Sequence, residues 1–180
     1  MLGMKLVRLI EAHSEALSRG LTEKIRKSER TSDFRRIPPK DLRLAAAEVY
    51  RNLGEWLLQK TEGDIASRFR AIAARRVSEG IGLHQLVWAL MLTRDHLWHF
   101  LRREAFADNI VELHGELELH QMLNQFFDRA VYYAILGYDE ARQQSTPKSD
   151  LARVQELAVS IGLMSERSTP PKILQDDRLP

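Results

Sequence analysis

The sequence predicts an all-α protein, a single bundle of five or six helices with a flexible C-terminal tail. Apolar residues recur at spacings of three and four along most of the chain, which is the period of an amphipathic helix. Glycine and proline are scarce, with 9 and 6 in 180 residues, so few helices are interrupted. Short alternating runs such as VELHGELEL lie inside longer helical periods, so we predict no β-strand.

The first two predicted helices are separated by a polar segment. The first helix spans about residues 5–28, and Gly20 in its middle weakens it by about 1 kcal/mol relative to alanine. The segment SERTSDFRRIPP, residues 28–39, is predicted to be a loop. Pro39 then opens the second helix, about 39–60, because a first-turn N–H has no partner inside a helix.

The remaining three predicted helices have clear start or stop signals. Thr61 is the predicted N-cap of the third helix, with Asp64 three residues later as in a capping box. This helix ends at Gly80. The fourth helix, about 83–105, is the most apolar segment, and the fifth, about 109–142, is the longest.

The composition changes after the fifth helix. QQSTPKSD is typical of a linker, LARVQELAVSIGLM could form one short amphipathic helix, and the proline-containing end has no apolar period. We therefore predict a helical sensory or regulatory domain over residues 1–144. Residues 145–180 are predicted to form a linker, a short helix and a disordered tail.

The fourth predicted helix carries apolar residues on two sides, which is typical of a helix surrounded by others. Its second stripe steps by four and three residues and contains two tryptophans and one carboxylate, Asp95. An unpaired carboxylate on an apolar face is costly, so Asp95 needs an arginine or an indole N–H. The candidate arginines are Arg129, Arg68 and Arg76.

We predict that this second stripe faces the fifth helix near Phe127 and that the contact forms a seam where a ligand or signal registers. Packing that depends on one ion pair can have two arrangements close in energy, as a switch requires. The alternative is a rigid core whose carboxylate has its partner. The candidate seam consists of His84, Trp88, Asp95, Trp98, Arg129, Tyr132 and Tyr133.

Two histidines are the candidate ligands for a metal or a haem. His99 and His120 each lie four residues after a carboxylate, so each carboxylate–histidine pair shares one helix face. The sequence has no HExxH motif and lacks the paired Glu-x-x-His motifs of di-iron bundles. We predict no cofactor and no metal site. A helical haem- or metal-binding sensor that uses histidines of the fourth or fifth helix stays the alternative.

Composition and motifs exclude several function classes. Without cysteine the chain has no disulfide, thiolate metal site or cysteine nucleophile. Phosphate-binding loops, dinucleotide fingerprints and serine nucleophile elbows are absent from the sequence. A net charge of +2 does not argue for nucleic acid, and the segment that resembles a helix–turn–helix has apolar residues where base contacts need polar ones. We therefore predict no nucleic-acid partner.

The sequence also predicts a cytoplasmic protein without a membrane partner. The longest apolar run, Leu86–Leu92, is far too short to span a bilayer. Glu11 interrupts the N-terminal apolar stretch that an export signal needs.

Two segments of the later helices resemble the N-terminal domain of RsbR-type regulators. They are ARRVSEGIGLHQLVWALMLTRDHLW and FFDRAVYYAILGYDEA, with an arginine-rich helix end before Gly80 and the pair Gly137-Tyr138 near the close of the last helix. The resemblance spans about residues 6–142 and includes the R-x-I-P-P entry to the second helix.

The resemblance implies a sensory or regulatory helical module with no catalytic residues. Some related sensory domains have a globin-like fold without haem, which leaves a globin-like bundle open for this chain. The family usually precedes an effector domain, and too little chain follows residue 142 to form one. The implied function is a non-enzymatic signal-transduction module, expected to be a homodimer, that acts through a partner protein or a small ligand.

Overall fold

The computed structural model describes residues 2–104 and 110–145, and the side chains of residues 4–104 and 117–145. The predicted all-α class is confirmed, since the described residues form seven α-helices and one 3₁₀ helix and contain no strand. In chain order they are α1 (Leu2–Ala12), α2 (Ser14–Lys27), the 3₁₀ helix (Glu29–Arg36), α3 (Pro39–Arg51), α4 (Leu53–Leu58), α5 (Glu62–Ser78), α6 (Leu83–Glu104) and α7 (Ile110–Ser145).

Contacts between residues divide the chain into two compact units, Met1–Gln143 and Gln144–Pro180. The predicted domain boundary after residue 144 stays a prediction. The predicted linker, short helix and tail after residue 145 lie outside the described residues.

The first two predicted helices are each divided in two. The helix predicted over 5–28 breaks at His13 (φ −102°, ψ 12°) into α1 and α2. The helix predicted over 39–60 breaks at Asn52 (φ −111°, ψ 22°) into α3 and α4. The apolar period continues across each break, and for this reason the sequence pattern alone does not reveal either of them.

The break between α3 and α4 is stabilised by a residue of another helix. The N–H of Gly54, which lies in the first turn of α4, donates a hydrogen bond to the Glu11 carboxylate of α1 at 2.9 Å. First-turn N–H groups have no partner within their own helix, so this carboxylate stabilises a new helix start at that place. The side-chain amide of Asn52 donates to the Glu48 carbonyl of α3 at 2.9 Å and satisfies an acceptor on the other side of the break.

The segment predicted to be a loop is mainly helical. Residues Glu29–Arg36 form a 3₁₀ helix with a kink at Thr31 (φ −131°, ψ 33°). The Thr31 side chain is fully buried and its hydroxyl donates to the Ile25 carbonyl of α2 at 2.6 Å. Phe34 is buried in the core. The loop prediction is therefore wrong, because short 3₁₀ segments carry too few residues to show a periodic pattern.

The predicted start and end of the third helix, here α5, are confirmed. The Thr61 side chain accepts from the Asp64 N–H while the Asp64 carboxylate accepts from the Thr61 N–H, which completes a capping box. Gly80 follows the helix with a φ of +71°, a conformation that favours glycine.

Every described helix contributes buried apolar side chains to one core, and α6 lies among the other helices. It packs on α1, α2 and the 3₁₀ helix along one side. Toward α7, the Trp98 ring of α6 lies 4.2 Å from the His120 ring, measured between centroids. Among the helices of residues 2–104 and 110–145, none has the length and apolarity that crossing a bilayer requires.

Helices α5 and α7 approach each other at Gly137. A β-carbon at this position would lie 2.5 Å from the Cα of Arg70, well inside van der Waals contact with the α5 backbone. Only a glycine allows the two backbones to pack this closely, so Gly137 sets the distance between α5 and α7.

We expect Gly137→Ala to lower the free energy of unfolding by about 1–3 kcal/mol, because the added methyl group must push α5 and α7 apart. Gly63→Ala is the matched control, since a β-carbon there would meet only the Thr61 hydroxyl at 3.6 Å. The control should leave stability unchanged or raise it by up to about 1 kcal/mol. Urea unfolding measures both, and equal effects of the two substitutions would contradict the close approach.

Candidate functional site

The structure divides the candidate seam between different neighbours. Trp98 is half-buried against His120 of α7, as predicted for the seam. Trp88 instead lies beneath the Arg30 guanidinium of the 3₁₀ helix, 4.2 Å from the ring centroid. The two tryptophans are ten residues apart, which rotates them by roughly 80° around a helix of 3.6 residues per turn. The two tryptophans therefore face different neighbours, and they do not form one continuous stripe toward α7.

Asp95 lies on the surface, with 54% of its side chain exposed. Its carboxylate is 3.6 Å from the Arg94 Nε of the same helix. Arg94 also reaches toward α7, where its Nη1 lies 3.9 Å from Asp128. The expectation that Asp95 needs a cation inside an apolar seam is wrong, because an exposed carboxylate keeps its hydration.

The arginines that we considered as partners of Asp95 have other places. Arg68 forms an ion pair with Glu48 of α3 at 2.7 Å. Arg76 pairs with Glu79 at the end of its own helix. Arg129 is exposed on α7.

The two tyrosines of the candidate seam face α5 and solvent. Tyr132 has 57% exposure and contacts the edge of Tyr133, with 5.2 Å between ring centroids. The Tyr133 hydroxyl donates to the Glu62 carboxylate at the start of α5 at 2.7 Å, and this hydrogen bond raises the pKa of Tyr133. His84 is exposed near the start of α6. A signalling role of the seam residues stays a prediction.

The histidines of the cofactor alternative also have separate surroundings. The His99 Nδ1 is 2.6 Å from the Asp95 carbonyl of its own helix. His120 packs against Trp98, and its Nε2 lies 3.3 Å from the side-chain amide of Asn124. Within the described part of the chain, no three histidine, cysteine, aspartate or glutamate side chains come together as a metal site would need.

The sequence analysis missed a cavity of about 100 Å³ in the core, which we call the core cavity. It is lined by residues of α2, the 3₁₀ helix, α3, α5, α6 and α7, among them Phe127 of the predicted seam. Three alanines, Ala45 and Ala46 of α3 and Ala89 of α6, leave part of this space unfilled. The run LAAAEV of α3 is the sequence signal that could have suggested it.

One charged side chain, Arg76, lines the core cavity. It is buried, forms an ion pair with Glu79, and places its guanidinium carbon 5.5 Å from the Phe34 ring centroid. Burial alone would raise the pKa of Glu79, but hydrogen bonds from Arg76 and Arg75 outweigh it and lower that pKa. The positive charge of Arg76 is therefore compensated by Glu79 at the end of α5. The other residues that line the core cavity are almost all apolar.

A second opening lies between α2 and α6, with a volume of about 360 Å³. We call it the histidine groove, because three histidines and two further basic residues line it together with Gly20 and Phe100. The basic residues of the groove are His13, Lys24, His96, His99 and Arg103.

His96 forms the contact between the two walls of this groove. Its Nε2 is 3.0 Å from the Leu17 carbonyl of α2. A carbonyl only accepts, so Nε2 carries the hydrogen. The ring fits over Gly20, where a β-carbon would lie 3.1 Å from it. The His96 Nδ1 is buried and has no hydrogen-bond partner among the described residues.

The surroundings of His96 favour its neutral form. Burial lowers the pKa of His96 most, and the positive charge of Lys24 lowers it further. His99 and Arg103 act in the same direction, while the hydrogen bond to the Leu17 carbonyl opposes the shift. A proton added at Nδ1 would be a buried charge without an acceptor.

A comparison with protein families matches residues 15–153 to the RsbT co-antagonist protein rsbRD N-terminal domain. The match covers more than half of the chain, and it includes all lining residues of the core cavity. The chain belongs to this family. No curated protein and no solved structure matches the chain.

Membership of the rsbRD N-terminal domain family confirms the resemblance found in the sequence. The family is one of sensory, regulatory domains of RsbR-type proteins, which work with partner proteins in stress signalling. Membership of the rsbRD N-terminal domain family assigns no role to an individual residue of this chain.

We expect the stability of this rsbRD N-terminal domain to decrease as the pH falls from about 7 to about 5, partly because of His96. The unfolded chain binds a proton at His96 near the ordinary pKa of about 6.5, whereas the folded chain binds it only at lower pH. Acid therefore favours the unfolded state across this range.

His96→Gln should lose less stability than the unmodified protein over the same range, since the glutamine amide can also donate to a carbonyl but takes up no proton. Urea unfolding at several pH values measures the difference, with His84→Gln as a control for the loss of a histidine on the surface. The same pH dependence in His96→Gln and in the unmodified protein would contradict the role of His96.

Proposed function

We propose that this chain is a non-enzymatic sensory domain whose stimulus is a small apolar ligand in the core cavity and whose output is received by a partner protein. The observation that carries the proposal is the apolar cavity itself, lined by residues of six helical elements. Family membership supports the sensory role. The globin-like arrangement implied by related sensory domains is part of the proposal.

The core cavity is accessible to a ligand because it opens toward the surface. Ala45 and Ala46 of α3 and Leu90 of α6, which line it, are only half-buried. Apolar cavities of comparable size stay dry and accept small apolar molecules such as xenon or benzene. A ligand that fills the space recovers the dispersion contacts that its lining lacks.

The position of the cavity explains how a ligand would change the outer surface. Ala46 of α3 and Ala89 of α6 are on two of its walls, and Ile72 of α5 is on a third. A ligand that enlarges the space moves these helices relative to one another, and packed helices shift as bodies rather than deforming. The altered arrangement is what a partner protein would bind differently.

We expect benzene or xenon to raise the melting temperature of the protein by roughly 2–4 °C, because a ligand that binds only the folded state stabilises it. Ala46→Leu fills the cavity and should abolish this increase while keeping the fold. Ala74→Leu is the control, since Ala74 is an exposed alanine of α5. It should respond as the unmodified protein does.

Two results would contradict the ligand proposal. One is that neither probe changes the melting temperature of the unmodified protein. The other is that Ala46→Leu responds as strongly as Ala74→Leu, which would place the bound probe outside the core cavity.

We also propose that the domain acts in the cytoplasm as a homodimer that binds neither nucleic acid nor a membrane, and that α7 forms its interface. Leu117 and Tyr132 are large apolar residues on α7 with 59% and 57% exposure. They lie about four helical turns apart along the same helix. Ile135, which is exposed one turn after Tyr132, extends this apolar surface along α7, and a continuous exposed apolar surface is typical of a protein interface.

We expect light scattering to give the mass of a dimer for the unmodified protein and the mass of a monomer for a variant with Leu117→Ser and Tyr132→Ser, since the apolar contact area is lost. Leu44→Ser, at an exposed leucine of α3, is the control and should remain dimeric. A monomer before any substitution, or a double variant that stays dimeric, would contradict the α7 interface.

A further inference from the structure

The histidine groove differs from the core cavity in position and in chemistry. The two openings have no lining residue in common. The core cavity is apolar, whereas the groove collects basic side chains from α6, from α2 and from the junction before α2. Lys24 of α2 and Arg103 of α6 carry permanent positive charge at neutral pH.

The positive charge of the groove is poorly compensated. Glu104 is the acidic residue that lines it, and the Arg103 Nε donates to this carboxylate at 2.8 Å. In the described part of the chain, no carboxylate forms an ion pair with Lys24. The groove thus holds more cationic than anionic groups even when its histidines are neutral.

A third opening, between α3 and α5, provides the contrast. It also contains several arginines, but acidic side chains lie among them. Arg68 pairs there with Glu48 at 2.7 Å, and Arg75 pairs with Glu79 at 2.9 Å. Arg68 and Arg75 thus have carboxylate partners within the protein, whereas Lys24 of the histidine groove has no such partner among the described residues.

The hydrogen bonds of two histidines determine where the groove would gain further donors. The His13 Nδ1 lies 2.8 Å from the Leu9 carbonyl, and the His99 Nδ1 lies 2.6 Å from the Asp95 carbonyl. Since a carbonyl only accepts, each Nδ1 carries a hydrogen and each Nε2 is the nitrogen that takes up a proton. Protonation therefore adds a cationic N–H donor at both residues. His96 differs, because its Nδ1 is buried, and it supplies the floor of the groove rather than a donor.

We propose that the histidine groove binds a small polyanion, a molecule that carries phosphate groups or several carboxylates, and that binding is accompanied by proton uptake at His13 and His99. Lys24 and Arg103 provide the permanent charge for the anion, one from each wall. Charge-assisted hydrogen bonds to several donors are the strong kind, and a concave site with an excess of positive charge concentrates anions even though Glu104 offsets part of it. The groove volume of about 360 Å³ admits a ligand of several heavy atoms beyond a single phosphate.

The proposal is tested by calorimetry with two probes, inorganic pyrophosphate and citrate, at about pH 6 and about pH 8, against chloride at equal ionic strength. We expect saturable binding at about pH 6 and an affinity at least tenfold lower at about pH 8, because binding that takes up protons weakens as the pH rises. Titration in two buffers of different ionisation enthalpy should show protons taken up on binding.

The two probes distinguish the chemistry of the natural ligand. Binding of pyrophosphate alone supports a phosphate-bearing ligand, binding of citrate alone supports a polycarboxylate, and binding of both supports recognition of charge density. Binding of neither probe beyond the chloride background overturns the proposal. Equal affinity at the two pH values overturns the part assigned to the histidines.

Paired variants locate the binding site. Lys24→Gln with Arg103→Gln should weaken binding at about pH 6 by at least about tenfold. Lys27→Gln with Arg51→Gln removes the same net charge at exposed positions outside the groove, and it should weaken binding by no more than about twofold. Equal weakening in both pairs would show that net charge, and not the groove, attracts the anion. The core cavity is tested with benzene or xenon and the histidine groove with anions. A negative result for one site therefore leaves the proposal for the other unchanged.

Discussion

The turn between α5 and α6 fixes the positions of four elements. After Gly80, with its φ of +71°, the chain places Ile81 in the core, and the Tyr138 hydroxyl of α7 donates to the Ile81 carbonyl at 2.9 Å. From the 3₁₀ helix, Asp33 donates its N–H to the Gln85 side chain at 2.8 Å and accepts from the same amide at 2.7 Å. The first turn of α6 is therefore held against the 3₁₀ helix, and the turn that precedes it is held against α7.

Helix α6 presents different chemistry along its length. Four residues between 86 and 93 line the apolar core cavity, and five residues between 96 and 104 line the histidine groove. The opposite wall of both openings comes from α2, with Leu21 and Ile25 at the cavity and Gly20 and Lys24 at the groove. The change from alanine and leucine to histidine and arginine along α6 is therefore the change from one site to the other.

The fold could be predicted from the sequence where the stabilising partner is close along the chain. The capping box of Thr61 and the end of α5 at Gly80 depend on residues within one turn, and both are confirmed. The break at Asn52 is stabilised by Glu11, far away in the sequence, and no local pattern could reveal it. The predicted stripe of α6 is divided between two neighbours, since positions that step by three and four turn gradually around the helix over ten residues.

The charged residue inside the fold is Arg76, whereas the sequence analysis expected Asp95 there. An apolar stripe suggested a buried Asp95, but rotation along α6 brings that carboxylate to the surface, where water solvates it. Arg76 can be buried because Glu79 lies three residues later, on the same side of the helix end, and neutralises it. Compensation by a neighbour one turn away thus decides which charge a helix can bury. The arginine of the core cavity has such a neighbour, whereas Lys24 of the histidine groove has no ion-pair partner among the described residues. This difference in charge is why we propose an apolar ligand for the first opening and an anion for the second.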